Sequence, residues 1–210
     1  MIIFGVGEVA KTFYYIAGGD AFTVDKEYIP TEGSLFRLPV LPFEYEALAK
    51  WGNTHIYLPI SYQKVNKVRQ EKYEQIKSWG FEALRYVHPT STLTHPYYLD
   101  EGSIVLEQCV IQPGCDIGKA VIIWSKVHCG HSCKIKDFVW LTSGAVLCGQ
   151  CEIGENSFVG ANAVISPGVK VGKRNIIGSG AIITKDTEDD SVYLEGRNVL
   201  YRKKSWEVQL

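Results

Sequence analysis

The 210-residue chain has a single methionine and no surplus of either charge, with 22 Lys and Arg against 23 Asp and Glu. The two signs also balance within residues 1–98. A broad basic face for a polyanion is therefore missing, which excludes nucleic acid as an expected partner. Long apolar runs are missing too. Nowhere do ~18 apolar residues follow one another, and the first ten residues, MIIFGVGEVA, carry no basic segment ahead of their apolar stretch. A soluble cytoplasmic protein without membrane insertion is expected. With 46% hydrophobic and 21% charged side chains the chain is able to bury a core, which excludes a disordered polypeptide.

Cysteine is present but confined, with all six residues between Cys109 and Cys151. His128, Cys129, His131 and Cys133 are close in sequence, and Cys148-x-x-Cys151 has zinc-like spacing. The periodicity of the same stretch argues against a metal site. Stepping by six from Leu99 to Ile183 meets an aliphatic residue every time, Cys129 being the one exception. Four residues after each of these stands a small or medium-sized residue, among them Cys109, Cys115, Cys133 and Cys151. Five of the six cysteines thus fall on core positions, where they behave as small hydrophobes. No metal is expected. Periods of 3.6 or 2 do not keep this register, whereas short strands and tight turns wound into stacked coils do. The second half is predicted to be a parallel β-helix of roughly five coils of about 18 residues.

The first half has another pattern. IIFGV, AFTVD and HIYLPI are apolar strands, and EVAKTFYYIAG, EYEALAKWG and a long segment from Tyr62 to Trp79 are helical. Alternation of this kind predicts a small parallel α/β sheet of Rossmann-like type. The expected divisions are a nucleotide-binding domain at 1–87, a linker at 88–98 in YVHPTSTLTHPYYL, a β-helix at 99–188 and a tail at 189–210.

Gly5, Gly7 and Ala10 form GxGxxA between strand and helix, and Asp25 ends the next strand. Glycines there let backbone N–H groups approach a phosphate at the helix N-terminus, and the acidic residue suits ribose or sugar hydroxyls. The short pattern also fits a tight turn without ligand. About 87 residues are too few for a full dinucleotide fold, so a mononucleotide or nucleotide-sugar is the better match. Asn66 and Arg69 share a helix face, either toward that ligand or as part of a solvated lysine-rich surface. In the second half His131 sits on a predicted turn, where an imidazole serves as a general base or is an ordinary surface histidine. Gly149 lies one coil further on in the same column and offers a bare N–H to an oxyanion.

IIFGVG, FTVD, SYxxxNxxR, YVHPT, the hexads and GHSCKI together resemble the bacterial sugar acyltransferases of the sialic acid O-acetyltransferase type. Within them the chain is most similar to N-acetyltransferases acting on nucleotide-linked amino sugars. The resemblance implies a left-handed β-helix, a homotrimer with sites between subunits, acetyl-CoA as donor and a nucleotide-linked 4-amino-deoxy sugar as acceptor, in bacterial surface-glycan synthesis. By position it implies His131 as base and Gly149 as the amide at the thioester carbonyl. Trp140, Ala161 and Ser179 would lie along the CoA arm, and Gly5, Gly7, Asp25, Pro59, Ile60 and Ser61 would hold the nucleotide-sugar. Ser132 stands where the family has an acidic residue, and Trp124 where a polar one is common. Sugar O-acetylation and a non-catalytic nucleotide-sugar-binding trimeric scaffold are the alternatives.

Overall fold

The structure, a computed structural model, describes residues 1–25, 38–52 and 54–194. The N-terminal part contains β1 (Ile2–Phe4), α1 (Glu8–Ala17), β2 (Ala21–Val24), β3 (Val40–Pro42), α2 (Tyr45–Lys50), β4 (His55–Tyr57), α3 (Lys67–Ser78) and β5 (Glu82–Ala83). The strands are short and mostly apolar where they are central: Ile2, Ile3, Ala21, Phe22 and Ile56 are buried. They form one parallel sheet in the order β3-β2-β1-β4-β5, so successive strands add on opposite sides of β1. The chain direction across the sheet reverses between β1 and β4, where the carboxyl ends of the strands leave a crevice. The helix expected over Tyr62 to Trp79 begins only at Lys67. Lys64, Val65 and Asn66 all have positive φ, at 49°, 50° and 64°, which no α-helix accepts.

Beyond β5 the chain winds through three stacked parallel sheets. The first runs from Tyr86–Val87 to Val192–Tyr193, the second from Thr92–Leu93 to Ile182–Ile183, and the third from Tyr97–Leu99 to Lys170–Val171. Strands pair with those 18 residues away, as His128–Cys129 does with Val146–Leu147. Every residue of the aliphatic walk from Leu99 to Ile183, Cys129 included, belongs to one buried cluster. The corners have their own six-residue rule: from Gly102 to Gly180 each sixth residue has positive φ, including Ala120, Lys126, Ser132 and Phe138.

Two expected boundaries move. Residues 88–98, expected as a linker, carry Thr92–Leu93 and most of Tyr97–Leu99, which pair with Val110–Ile111 and Cys115–Ile117. The tail expected from 189 contributes Val192–Tyr193, paired with Ile176–Ile177. There the repeat shortens from 18 residues to 16, because Ile177 stands opposite Tyr193. Asp186, Thr187 and Asp189 accept hydrogen bonds from the backbone N–H groups of Lys170, Gly172 and Lys173, closing the last coil. The basic residues Arg202, Lys203 and Lys204 lie outside the described residues.

The two parts share a core. Ile3, Phe13 and Tyr57 pack with Ile104, Ile122 and Trp140 of the first sheet. Asn66 and Arg69 belong to this junction, contrary to both readings of them as ligand contacts or solvated surface; each is fully buried. Arg69 donates from Nε to the Ala120 carbonyl at 2.8 Å, from Nη1 to Ile60 at 3.0 Å, and from Nη2 to Phe138 and Val139 at 2.6 and 3.2 Å. Asn66 Nδ2 donates to the Asn156 and Ser157 carbonyls at 2.9 and 3.0 Å.

Candidate functional site

Gly5, Gly7, Asp25, Pro59, Ile60 and Ser61 line a single cavity of about 400 Å³, together with Phe4, Val9 and Gln63. It opens at the switch point between β1 and β4. Gly5 has φ +93°, which only glycine adopts without strain. Gly7 has an ordinary φ of −75°, and a Cβ there would meet nothing within 4 Å. The fold does not require glycine at this position, so its reason lies in the space it leaves. No side chain caps α1, whose first-turn N–H groups border the cavity and suit an anionic group. Asp25 is tied at 2.5 Å to Lys72 of α3. Lys72 itself lies over the rings of Phe4 and Phe43, at 5.6 and 4.8 Å. The sequence does not single it out, because its place beside Asp25 depends on how α3 folds back over the sheet.

His131 stands on the corner between the second and third sheets and is exposed. Its backbone N–H donates to Gln112 Oε1 at 2.9 Å, and its carbonyl accepts from the Gln150 N–H at 2.8 Å, fixing the corner between its neighbours. The imidazole lies over Gly149: a Cβ on that residue would fall 2.4 Å from His131 Nε2. Glycine is thus required at 149 by the ring itself. The Gly149 carbonyl accepts from the Gly168 N–H at 3.0 Å, whereas its own N–H makes no backbone hydrogen bond among the described residues. Ser132 takes the left-handed corner conformation with φ +60°. Among the described residues no carboxylate pairs with the His131 ring.

Ala161 and Ser179 stack one coil apart on a different corner, between the first and second sheets. Trp140 is not exposed beside them. It is 3% accessible and faces the junction, stacked on Trp124 with centroids 5.3 Å apart. One chain therefore does not bring His131 and Gly149 together with Ala161 and Ser179.

Five cysteines, Cys109, Cys115, Cys129, Cys133 and Cys151, are buried, as the six-residue register predicts, and Cys148 is half-buried. They are more than small hydrophobes. Cys115 and Cys133 point their thiols at the Gly130 and Cys148 carbonyls, each at 3.1 Å. Ser103 and Ser157 do the same from equivalent positions with their hydroxyls. Burial pushes the Cys109 and Cys129 thiols up, away from nucleophilic thiolate. Among the described residues no group of three or more His, Cys, Asp or Glu is arranged to hold a metal ion.

Residues 132–167 and 151–185 match the family of bacterial transferase hexapeptide repeats (six repeats). Three solved structures share the fold. They are a mutant of perosamine N-acetyltransferase from Caulobacter crescentus in complex with CoA and GDP-perosamine, the acetyltransferase domain of PglB from Neisseria gonorrhoeae with acetyl coenzyme A, and WeeI from Acinetobacter baumannii. Sequence identities are 23%, 24% and 19%, and TM-scores 0.82, 0.80 and 0.77. The alignments cover 92%, 92% and 91% of this chain and 92%, 95% and 94% of those chains. No curated protein matches. Residues 132–185 thus carry the hexapeptide repeat of bacterial transferases, the chain shares the fold of these three structures, and its stacked parallel sheets fit a left-handed β-helix.

Proposed function

We propose that this protein is an acetyl-CoA-dependent N-acetyltransferase acting on a UDP-, dTDP- or GDP-linked 4-amino-deoxy sugar, in the synthesis of bacterial surface glycans such as O-antigen lipopolysaccharide. The observation that carries the reading is the imidazole of His131 lying over Gly149, whose N–H is left without a backbone partner. The complexes of the two related acetyltransferases with CoA or acetyl coenzyme A support it.

The sugar amine attacks the thioester carbonyl and forms the C–N bond. The oxygen gains negative charge, which the Gly149 N–H stabilises, while His131 accepts the proton from nitrogen. Collapse breaks the C–S bond, and the imidazolium returns the proton to the departing CoA sulfur. No covalent enzyme intermediate is needed, since a neutral amine is already a competent nucleophile. The nucleotide-sugar lies over Gly5 and Gly7, with its phosphates at the N-terminus of α1, Asp25 at its hydroxyls, and Pro59, Ile60 and Ser61 as floor.

The active unit in this reading is a homotrimer. The outer residues of the second sheet are Thr92, Val110, His128, Val146, Val164 and Ile182, largely aliphatic, whereas the third presents Tyr98, Asp116, Lys134, Glu152 and Lys170. The corners carrying His131 and Ala161 with Ser179 bound this aliphatic sheet on either side. Turning it toward a threefold axis brings the His131 corner of one subunit to the Ala161 and Ser179 corner of the next, where the CoA arm would lie. The test is incubation with acetyl-CoA and a panel of UDP-, dTDP- and GDP-linked amino sugars, read by product mass. One acetyl group gained is expected, and no gain on any member refutes the reading.

A further inference from the structure

The residues that stack with His131 from Pro113 to Lys185, one coil apart, share a backbone position that no coil-to-coil hydrogen bond serves. Pro113 and Pro167 have no N–H there, and the N–H groups of Gly149 and Lys185 make no hydrogen bond among the described residues. The register of the coils thus leaves one donor over at each turn of this corner. Only at His131 does a side chain take it up, where Gln112 Oε1 accepts the N–H at 2.9 Å. The backbone N–H of Gln112 donates to the Cys129 carbonyl, also at 2.9 Å, so this half-buried residue grips residues 129–131 at both ends. Gly130, between them, is pressed on the next coil, since a Cβ there would fall 2.7 Å from the Gly149 nitrogen. One three-residue segment therefore aligns the imidazole and the free N–H beneath it.

We infer that Gln112 is the positioning residue that sets His131 for proton transfer, acting through the imidazole rather than through the stability of the fold. The inference rests on the reading of His131 as the base of an acetyltransferase and adds the group that orients it. A histidine base is ordinarily held in place by a third group on its ring, most often a carboxylate. Here no carboxylate pairs with the ring among the described residues, and the residue that follows is Ser132. Orientation then falls to the backbone of His131. Gln112 holds it at the N–H, and the Gln150 N–H holds it at the carbonyl, at 2.8 Å. Because His131 is exposed, water would meet its N–H if Gln112 were removed, and the fold would lose little. Alignment is what would be lost, and a displacement of about 1 Å costs up to about 10²-fold in rate.

The experiment is a double-mutant cycle on acetyl transfer to a nucleotide-linked amino sugar, with kcat and KM measured for wild type, Gln112→Met, His131→Ala and the double variant. Gln112→Met keeps the length of the side chain and removes its acceptor. It is expected to lower kcat about tenfold or more with KM for both substrates unchanged. In the His131→Ala background it should have no further effect, since groups that act as a unit are not additive. A neutral amine is already nucleophilic, so His131→Ala retains a slow rate on which the cycle is read. Gln112→Glu, which keeps an oxygen at the same reach, should recover most of the wild-type kcat, and Gln112→Asn, one methylene shorter, should not. Gln112→Asn also keeps the test valid if Gln112→Met fails to fold. A merely structural role would lower kcat by the same factor in both backgrounds, and that outcome, or a wild-type kcat in Gln112→Met, overturns the inference alone. Transfer to no amino sugar by wild type, or at equal rates by wild type and His131→Ala, refutes the underlying reading and the inference with it.

Discussion

A guanidinium buried without a carboxylate partner must satisfy its donors elsewhere, and Arg69 does so on four backbone carbonyls drawn from both parts of the chain. Burial lowers its pKa to about 9, which leaves it charged at neutral pH. Its fork geometry suits several carbonyls at once, and an ammonium group cannot reproduce it. Replacing Arg69 by Met leaves the Ile60, Ala120 and Phe138 carbonyls unpaired at the junction, whereas that of Val139 keeps the Ile122 N–H. We expect a loss of about 3–5 kcal/mol in chemical denaturation, since several buried carbonyls lose a charge-assisted hydrogen bond at once and each unsatisfied one costs about 1–3 kcal/mol, and only partial rescue by Arg69→Lys. A loss below about 1 kcal/mol, the worth of a surface contact, contradicts this role. At Gly149 the argument is steric. An added methyl would stand 2.4 Å from His131 Nε2, so Gly149→Ala has to displace the ring. The expected result is a fall in kcat of about 10²-fold, as when an oxyanion donor or its alignment is lost, with KM for the nucleotide-sugar unchanged. Neither residue's role is equally visible in sequence. Gly149 shares a column with His131 at a spacing of one coil, whereas Arg69 looks like one more cation on a lysine-rich helix until the junction is built.

Helix α3 is fastened at its far end as well. Tyr73 Oη donates to Glu101 Oε1, and Lys77 Nζ lies 2.9 Å from Glu101 Oε2. Burial pushes the Glu101 carboxyl up, but the hydrogen bonds from Tyr73 and Lys77 outweigh it, and the net pKa falls below the ordinary carboxylate value. A carboxyl with a depressed folded-state pKa stabilises the fold above its unfolded pKa, and that stabilisation disappears as the pH falls through the folded one. Unfolding free energy measured from pH 7 down to pH 3 should therefore decline less steeply in Glu101→Gln than in wild type, and parallel curves would contradict the clamp. The β-helix elements were legible because each coil repeats the same burial problem every six residues. Stepping back from Leu99 also meets Leu93 and Val87, so the first coil carried the signal. Prolines 89 and 96 on its corners made it look like a linker. The last strand was hidden for a different reason, since a two-residue shortening takes Tyr193 out of register. Just before α3 the left-handed residues Lys64, Val65 and Asn66 delay the helix, and Asn66 is held there by its bonds to the Asn156 and Ser157 carbonyls, a cause that no local sequence pattern shows.

At the scale of the whole molecule the proposed reaction divides the task between the two halves, with the nucleotide-sugar's phosphates in the crevice of the sheet domain and the chemistry at the imidazole over a glycine on the β-helix. Balanced charge fits this division, because backbone N–H groups and single side chains, rather than a basic face, meet the small anionic ligands. The separation of the His131 corner from the Ala161 and Ser179 corner makes assembly part of the chemistry in the proposed trimer. A mixture of His131→Ala and Ala161→Trp chains, each inactive alone, should regain part of the wild-type rate when refolded together, since mixed trimers contain interfaces with both sides intact. Persistent inactivity of the mixed trimers contradicts a site shared between subunits. The most direct test of acetyl transfer through His131 is the rate of CoA thiol release with a nucleotide-linked amino sugar, compared between wild type and His131→Ala. The account predicts sugar-dependent release by wild type and a fall in kcat of about 10²-fold or more, the usual worth of a general base, with KM for both substrates little changed. Equal rates in the two proteins, or release that does not depend on the amino sugar, would contradict it.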